Sequence, residues 1–265
     1  MTSMKLTDLM QEMKGLYPIE PSTYKNWLKA AGPLGDIKMS DVDKQVVKRY
    51  RMLQLKQWAP TTLTTRISTL KGLWNKAIEW EMYDGKNPWL KASKGLKNSR
   101  RDPDFHPWSY YKYYHNDPYF VCLWYSGMRI SELAGIYKEN IVTDVNRTEI
   151  PYFDLVHQPN RKLKNEPSIR KVPIHPACLP YVEQLYLSRA VEPGKSWSDN
   201  FRKNMKLPLG VGAHSLRHSF TSRMNEAGCL DRIQDALLGH APATLTGRYG
   251  KVTLEMMHKE LIKLK

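Results

Sequence analysis

Six side chains between residues 129 and 249 are of types that together can break a phosphodiester: Arg129, Lys164, His214, Arg217, His240 and Tyr249. Cleavage requires stabilising the negative charge that builds on the non-bridging oxygens. Planar, permanently charged guanidinium groups match that oxygen geometry, which makes Arg129 and Arg217 the candidate pair. His214 and Arg217 stand three apart at an expected helix start and so face one ligand. An imidazole near its neutral pKa suits proton transfer to or from an oxygen. His240 follows Leu237-Leu238-Gly239, where a glycine can end a helix and let the next side chain enter a cleft. Tyr249 offers a hydroxyl that can attack phosphorus once neighbouring cations or a base lower its pKa from about 10. Lys164, in the charged segment Asn160–Ser168, is a candidate proton donor to a leaving alkoxide, and Lys162 competes for that role. Glu132, three residues after Arg129, either buttresses that guanidinium or forms an ordinary helical ion pair with it. His218 is expected on another helix face, packing locally. This chemistry calls for no metal and no cofactor.

These residues need a scaffold, and the pattern around them is mixed. Apolar helix signals run through Phe120–Ser126 and Ile130–Ile136, and strands are expected around Tyr152–Val156 and Arg170–Ile174 with the charged loop between them. Helices resume at Pro176–Ser188, near Trp197–Met205, and at Ser215–Ala227 and Asp231–Leu238, with Gly228 and Gly239 where helix ends need them. The first hundred residues read as helices separated by turns. Ser40 to Asp43 is read as a capping box opening a helix to about Lys56, and Thr61 or Thr62 as the cap of the next. That next helix carries an apolar stripe at Leu63, Ile67, Leu70, Leu73, Trp74, Ala77 and Ile78. Its other face holds Thr61, Thr64, Arg66, Lys71 and Lys76, a surface that is either solvated or laid on DNA phosphates. Between the halves lies a basic, helix-poor stretch with Lys97, Arg100 and Arg101. The expected fold is therefore mainly α with a small β-sheet: a helical domain over 1–92, a linker over 93–107 and a mixed domain over 108–265.

Bulk properties set the class of partner. Forty-one Lys and Arg against 26 Asp and Glu give a formal charge of +15, which favours a polyanion such as nucleic acid. The excess is shared: residues 1–104 hold 19 basic and 11 acidic side chains, and residues 105–265 hold 22 and 15. Both halves are thus suited to the same duplex. Cys122, Cys178 and Cys229 show no Cys-x-x-Cys pairing, so neither a disulfide framework nor a zinc site is expected, and a reducing, cytoplasmic setting fits. The longest apolar stretch, Tyr119 to Tyr125, is too short to span a bilayer, so no membrane association is expected.

Taken together, Gly127-Met-Arg-Ile-Ser-Glu-Leu133, His214-Ser-Leu-Arg-His-Ser-Phe220, Glu226-Ala-Gly228 and Leu237-Leu-Gly-His240 resemble the catalytic domain of the tyrosine recombinases, the phage integrase family. The family pattern Arg…Lys…His-x-x-Arg…His…Tyr falls on the six residues above, across roughly 118–250. The resemblance implies that Tyr249 forms a 3′-phosphotyrosyl link and frees a 5′-hydroxyl. Arg129, Arg217 and His240 would bind phosphate oxygens, His214 would assist proton transfer at the tyrosine, and Lys164 would protonate the departing oxygen. Because the covalent link conserves bond energy, no nucleotide cofactor is implied. The first half is similar to the family's core-binding domain, through Pro60-Thr-Thr-Leu-Thr-Thr-Arg-Ile-Ser-Thr-Leu70. The resemblance further implies a two-domain clamp on double-stranded DNA at specific core sites, with a homotetramer on two duplexes. The tail from Thr253 is read as an amphipathic helix that docks on a neighbour or packs in cis. The chain departs from the family in three ways: it starts almost at its core-binding part, Asn165 stands where threonine is frequent, and Asp104–Gly127 is compressed. Two other readings use the same residues or fold: a type IB topoisomerase-like enzyme that nicks and relaxes DNA, and a non-catalytic DNA-binding protein.

Overall fold

A computed structural model describes residues 4–96, 107–144, 149–187, 201, 203, 206, 212–241 and 251–264. The chain divides into two compact units, 1–101 and 102–265, each with its own hydrophobic core. It is mainly helical with one small sheet, the class expected from the sequence. Among the described residues no helix is long and apolar enough to cross a membrane.

The first unit is built from α1 (Leu6–Leu16), α2 (Pro21–Ala31), α3 (Lys44–Gln54) and α4 (Pro60–Glu79). The apolar stripe of α4 is buried from Leu63 to Ala77, and only Ile78, in the last turn, is exposed. Two expected caps differ. Asp43, not Ser40, caps α3, its carboxylate accepting from the amides of Gln45 and Val46, both at 2.8 Å. Ser40 lies in a short 3₁₀ turn over Met39–Asp41. A carboxylate at the positive end of a helix outcompetes a hydroxyl three residues away. Neither Thr61 nor Thr62 caps α4; Pro60 occupies its first position, where a missing amide hydrogen is harmless.

The second unit is organised around α6 (Pro118–Ser126), preceded by α5 (Pro107–Tyr114). Asp117 caps α6 by accepting from Phe120 N at 2.7 Å, and every side chain from Phe120 to Ser126 is buried. A helix apolar on all sides can only be a central one. Against it pack α7 (Ile130–Ala134), α8 (Val182–Leu187) and α9 (Ala213–Glu226). Strands β1 (Ile141–Val142), β2 (Tyr152–Leu155) and β3 (Arg170–Pro173) form an antiparallel sheet in that order, with Phe153 opposite both Ile141 and Val172. The two-residue β1 leaves too short an alternation to be read from sequence. Helix α10 (Asp231–Leu238) follows α9, and α11 (Leu254–Leu261) packs on α10 and β3 of its own unit, burying Met257, Leu261 and Leu264. The tail helix therefore packs in cis here. The charged segment after β2 is not simply a solvated loop, because Arg161 and Leu163 alternate inward while Lys162 and Lys164 are exposed.

Two glycines fix how α6 and α10 end. Gly127 (φ 62°) and Gly239 (φ 66°) are left-handed caps. A Cβ on Gly127 would lie 2.4 Å from the fully buried Phe220 ring, so this position needs both the backbone freedom and the space. Gly228 (φ 72°), beyond α9, has the same conformation with nothing within 4 Å of a Cβ. Gly228→Ala is expected to destabilise by about 1–2 kcal/mol, the left-handed penalty alone. Gly127→Ala adds overpacking of about 1–3 kcal/mol. Urea midpoints of the two variants check the order; equal shifts would mean that Phe220 moves aside without cost.

Candidate active site

Arg129, Glu132, Arg217 and His240 converge at the ends of three helices. Arg129 is the N-cap of α7, one short turn beyond the Gly127 cap of α6. Glu132, on the third residue of α7, turns back: its Oε2 accepts the Arg129 backbone N–H at 2.9 Å, and its Oε1 accepts from Arg129 Nη1 at 2.6 Å. The carboxylate is 3% exposed and the Arg129 side chain 22%, so the guanidinium is held from the buried side and left open on the other. Arg129 Nη1 also reaches Ser168 Oγ at 3.3 Å, and Ser168 donates to Asn165 Oδ1 at 2.5 Å. The segment after Lys164 is thereby tied to Arg129.

Arg217, on α9, is anchored by helix ends. Nη1 donates to the Gly127 carbonyl at 2.8 Å and Nη2 to the Leu238 carbonyl at 2.6 Å, the last turns of α6 and α10. Both carbonyls lie at the negative ends of helix dipoles, which suits a buried cation. One turn and a half further on, Arg223 donates to the Trp124 carbonyl and stacks over the Trp124 ring at 4.1 Å, so α9 neutralises the α6 terminus twice. Burial, then the neighbouring Arg129 charge, lowers the Arg217 pKa to about 10, leaving it cationic at neutral pH.

His240 sits just past Gly239, half-exposed, with Nε2 2.9 Å from Arg217 Nη2 and Nδ1 3.3 Å from Asp235 Oδ1. Because a guanidinium can only donate, Nε2 is the acceptor and the ring proton of the neutral form belongs on Nδ1, toward Asp235. His214, exposed on the first turn of α9, meets His218 edge to face at 4.7 Å. The two histidines are i and i+4 and share a face, which corrects the expectation that His218 points elsewhere. Burial lowers the His214 pKa, followed by the charges of His218, Arg217, Arg129 and Lys164. Lys164 and Lys162 are both exposed, and the charge of Lys164 is felt at His214.

Tyr249 lies outside the described residues, as do Lys97, Arg100 and Arg101. On α4, Thr61, Lys71 and Lys76 are exposed, but the Thr64 hydroxyl donates to the Pro60 carbonyl at 2.9 Å. Lys76 lies over the Trp80 ring at 4.7 Å. Arg66 lies over Trp58 at 5.3 Å, because it directly precedes Ile67 and falls at the flank of the buried stripe rather than on the polar face.

Two arginines in this unit escape sequence reasoning. Arg170, 7% exposed in its side chain, pairs with both Glu132 oxygens, Nη2 to Oε2 at 3.0 Å and Nη1 to Oε1 at 3.3 Å. Arg161 donates to the Glu132 backbone carbonyl at 2.5 Å and to the Val156 carbonyl at 3.0 Å. Each shares strand parity with a buried neighbour, Val172 and Leu163, and that parity is the signal that could have found them. Among the described residues no three His, Cys, Asp or Glu side chains gather where they could hold a metal.

Residues 110–256, more than half of the chain, match the phage integrase family, and the chain belongs to it. A stretch of 75 residues is 37% identical to tyrosine recombinase XerA of Pyrococcus horikoshii, 28% of this chain and about a quarter (26%) of that relative's length. The fold is shared with the Tn1549 transposon integrase in complex with circular intermediate DNA: TM-score 0.66, 17% identity, 98% of this chain and 99% of that one. A lambda integrase tetramer bound to a Holliday junction gives 0.63 and 15%, over 94% of this chain and 78% of that one.

Glu132 titration should be visible in stability. Burial raises its pKa, but Arg170 and Arg129 outweigh burial and hold it below the ordinary glutamate value. A depressed carboxylate pKa contributes stability that is present above the unfolded-state value, about 4.3, and is lost as pH falls through the folded value. Glu132→Ala, which strands the buried Arg170 guanidinium and frees the partly exposed Arg129, is expected to destabilise the second unit by about 3 kcal/mol at pH 7. Denaturant melts from pH 7 to 3 should show the difference between wild type and variant shrinking toward acid; a constant gap would contradict the ionised assignment.

Proposed function

We propose that the protein is a site-specific DNA recombinase that cuts and rejoins duplex DNA through a 3′-phosphotyrosyl intermediate, without metal or nucleotide. The observation that supports this most is the convergence of Arg129, Arg217 and His240, with Lys164 and His214 in electrostatic reach, in a segment that matches the phage integrase family. In this reading the Tyr249 hydroxyl attacks phosphorus and the bond to the 5′ oxygen breaks. The phenol proton passes to His214, and the leaving oxygen takes a proton from Lys164. Arg129 and Arg217 hold the non-bridging oxygens. An incoming phosphate oxygen would replace Nε2 of His240 at Arg217 Nη2; with a proton gained on Nε2, His240 becomes a donor to that oxygen, its positive charge supported by Asp235.

We assign residues 1–92 to core-site DNA binding, with Thr61, Thr64, Lys71 and Lys76 on α4 as phosphate contacts and Arg66 beside them. Residues 93–107, with Lys97, Arg100 and Arg101, form the basic linker, and 108–265 the catalytic domain. The partner is double-stranded DNA carrying specific core sites, with four copies on two duplexes, acting in the cytoplasm. Docking of α11 on a neighbour would require Met257, Leu261 and Leu264 to leave their own core, so tail exchange is tied to assembly.

The test uses nicked duplexes selected from a randomised pool by binding to the protein. Wild type is expected to leave a detergent-resistant protein–DNA adduct; Tyr249→Phe should bind the duplex and leave none, and persistence of the adduct there would remove Tyr249 from the mechanism. Arg217→Ala should slow adduct formation about 100- to 1,000-fold with a smaller loss of binding. A His214 base must be neutral, and its lowered pKa places the loss of activity on the acid side of about 6.5. Adduct rates should therefore be flat above neutral pH and fall below it, and His214→Gln should remove that acid limb. An unchanged limb in the variant assigns the titration to another group.

A further inference from the structure

Arg170 holds both halves of the anion site with its own side chain only 7% exposed. Its guanidinium grips both oxygens of Glu132, the carboxylate that orients Arg129. On its other edge Nε donates to the Leu237 carbonyl at 2.8 Å, one residue before the Leu238 carbonyl that holds Arg217 and three before His240. A third contact, Nη1 to the Ser168 carbonyl at 3.0 Å, ties in the segment that follows Lys164. The group also fills the space over the α10 cap, since a Cβ on Gly239 would lie 2.7 Å from Arg170 Nη1 and 2.9 Å from the Pro167 carbonyl.

We propose that Arg170 is a positioning residue that sets the separation and orientation of the Arg129 and Arg217 guanidinium groups, so that both engage one phosphate. This rests on the reading of the site as one that binds a scissile phosphate. The argument is geometric. Four bonds leave a rigid planar fork in three directions, toward β3's own loop, α7 and the end of α10. An ammonium group on a flexible stem cannot reproduce that fork. Arg161 provides the contrast: it is buried in the same hairpin and donates to the backbone of Glu132, yet does not touch its carboxylate or the α10 terminus.

The experiment compares Arg170→Lys, Arg170→Met and Arg161→Met with wild type. It reads melting temperature, affinity for the selected nicked duplex, and the single-turnover rate of adduct formation at saturating duplex. Both Arg170 variants are expected to lose about 100-fold in rate, the scale of a displacement near 1 Å at a reacting centre, with affinity little changed. Arg161→Met should lose stability but keep its rate. A duplex whose scissile phosphate is replaced by a neutral methylphosphonate has less charge for two guanidinium groups to share, so the Arg170→Met defect should shrink on it. A rate loss that tracks melting temperature in all three variants, or that is the same on both duplexes, would overturn the proposal.

If wild type binds duplex but forms no adduct, the recombinase reading fails and the positioning role is decided on the anion site itself. Inorganic phosphate is then titrated while the His240 ring signals are followed by NMR. A phosphate-dependent shift in wild type and Arg161→Met that is absent in Arg170→Met sustains the positioning role. The same shift in all three, or none in wild type, rejects it.

Discussion

The second unit depends on one ionised carboxylate held away from water. Glu132 is 2% exposed, and removing such a charge from solvent costs several kcal/mol unless its oxygens are filled by well-placed donors. The fold fills them from two directions: Arg129 and its backbone amide from the start of α7, and Arg170 from β3. These segments are distant in the chain, so the carboxylate is satisfied only when helix and sheet are both in place. What is spent on burying it is returned as orientation, because a guanidinium locked on its inner edge presents its outer edge in one direction.

Arg217 is fixed by a different device. It takes its partners from backbone carbonyls at the ends of α6 and α10, each closed by a left-handed glycine. With both helix ends immobilised in a close-packed core, the second guanidinium has no need of a carboxylate of its own. Its hydrogen-bond partners are carbonyl dipoles and not a carboxylate, which suits the anion-binding role proposed for it. His240, one residue past the α10 cap, inherits its place from the same helix end. In the proposed reading, the site is thus preorganised before the phosphate binds, which is the condition for electrostatic stabilisation to act without reorganisation.

Much of this is written in local pattern. The all-apolar run of α6, the buried stripe of α4, and the glycines after α6 and α10 follow from periodicity and cap chemistry, and the grouping of Arg129, Arg217 and His240 from the resemblance of their motifs to the phage integrase family. What escapes is what only tertiary structure decides. The alternation with Leu163 and Val172 marks Arg161 and Arg170 as inward-facing, but nothing local reveals their partner: Glu132, 29 and 38 residues upstream, which offers its backbone carbonyl to Arg161 and its carboxylate to Arg170. Asp43 displaces Ser40 as a cap because two acceptors compete for one helix end. The facing of His218 onto His214 is a matter of helical spacing, i to i+4, and was legible in the residues themselves.

The claim on which these relations rest is that Glu132 is a carboxylate, not a carboxylic acid, inside the folded unit. Carbon-13 NMR of glutamate-labelled protein, with Glu132→Gln to identify the resonance, measures this directly. The account predicts a chemical-shift titration with its midpoint below the ordinary glutamate value of about 4.3, the charge being held by Arg170 and Arg129. A midpoint above that value would mean that burial prevails over the two guanidinium groups, and the proposed orientation of the anion site would lose its foundation.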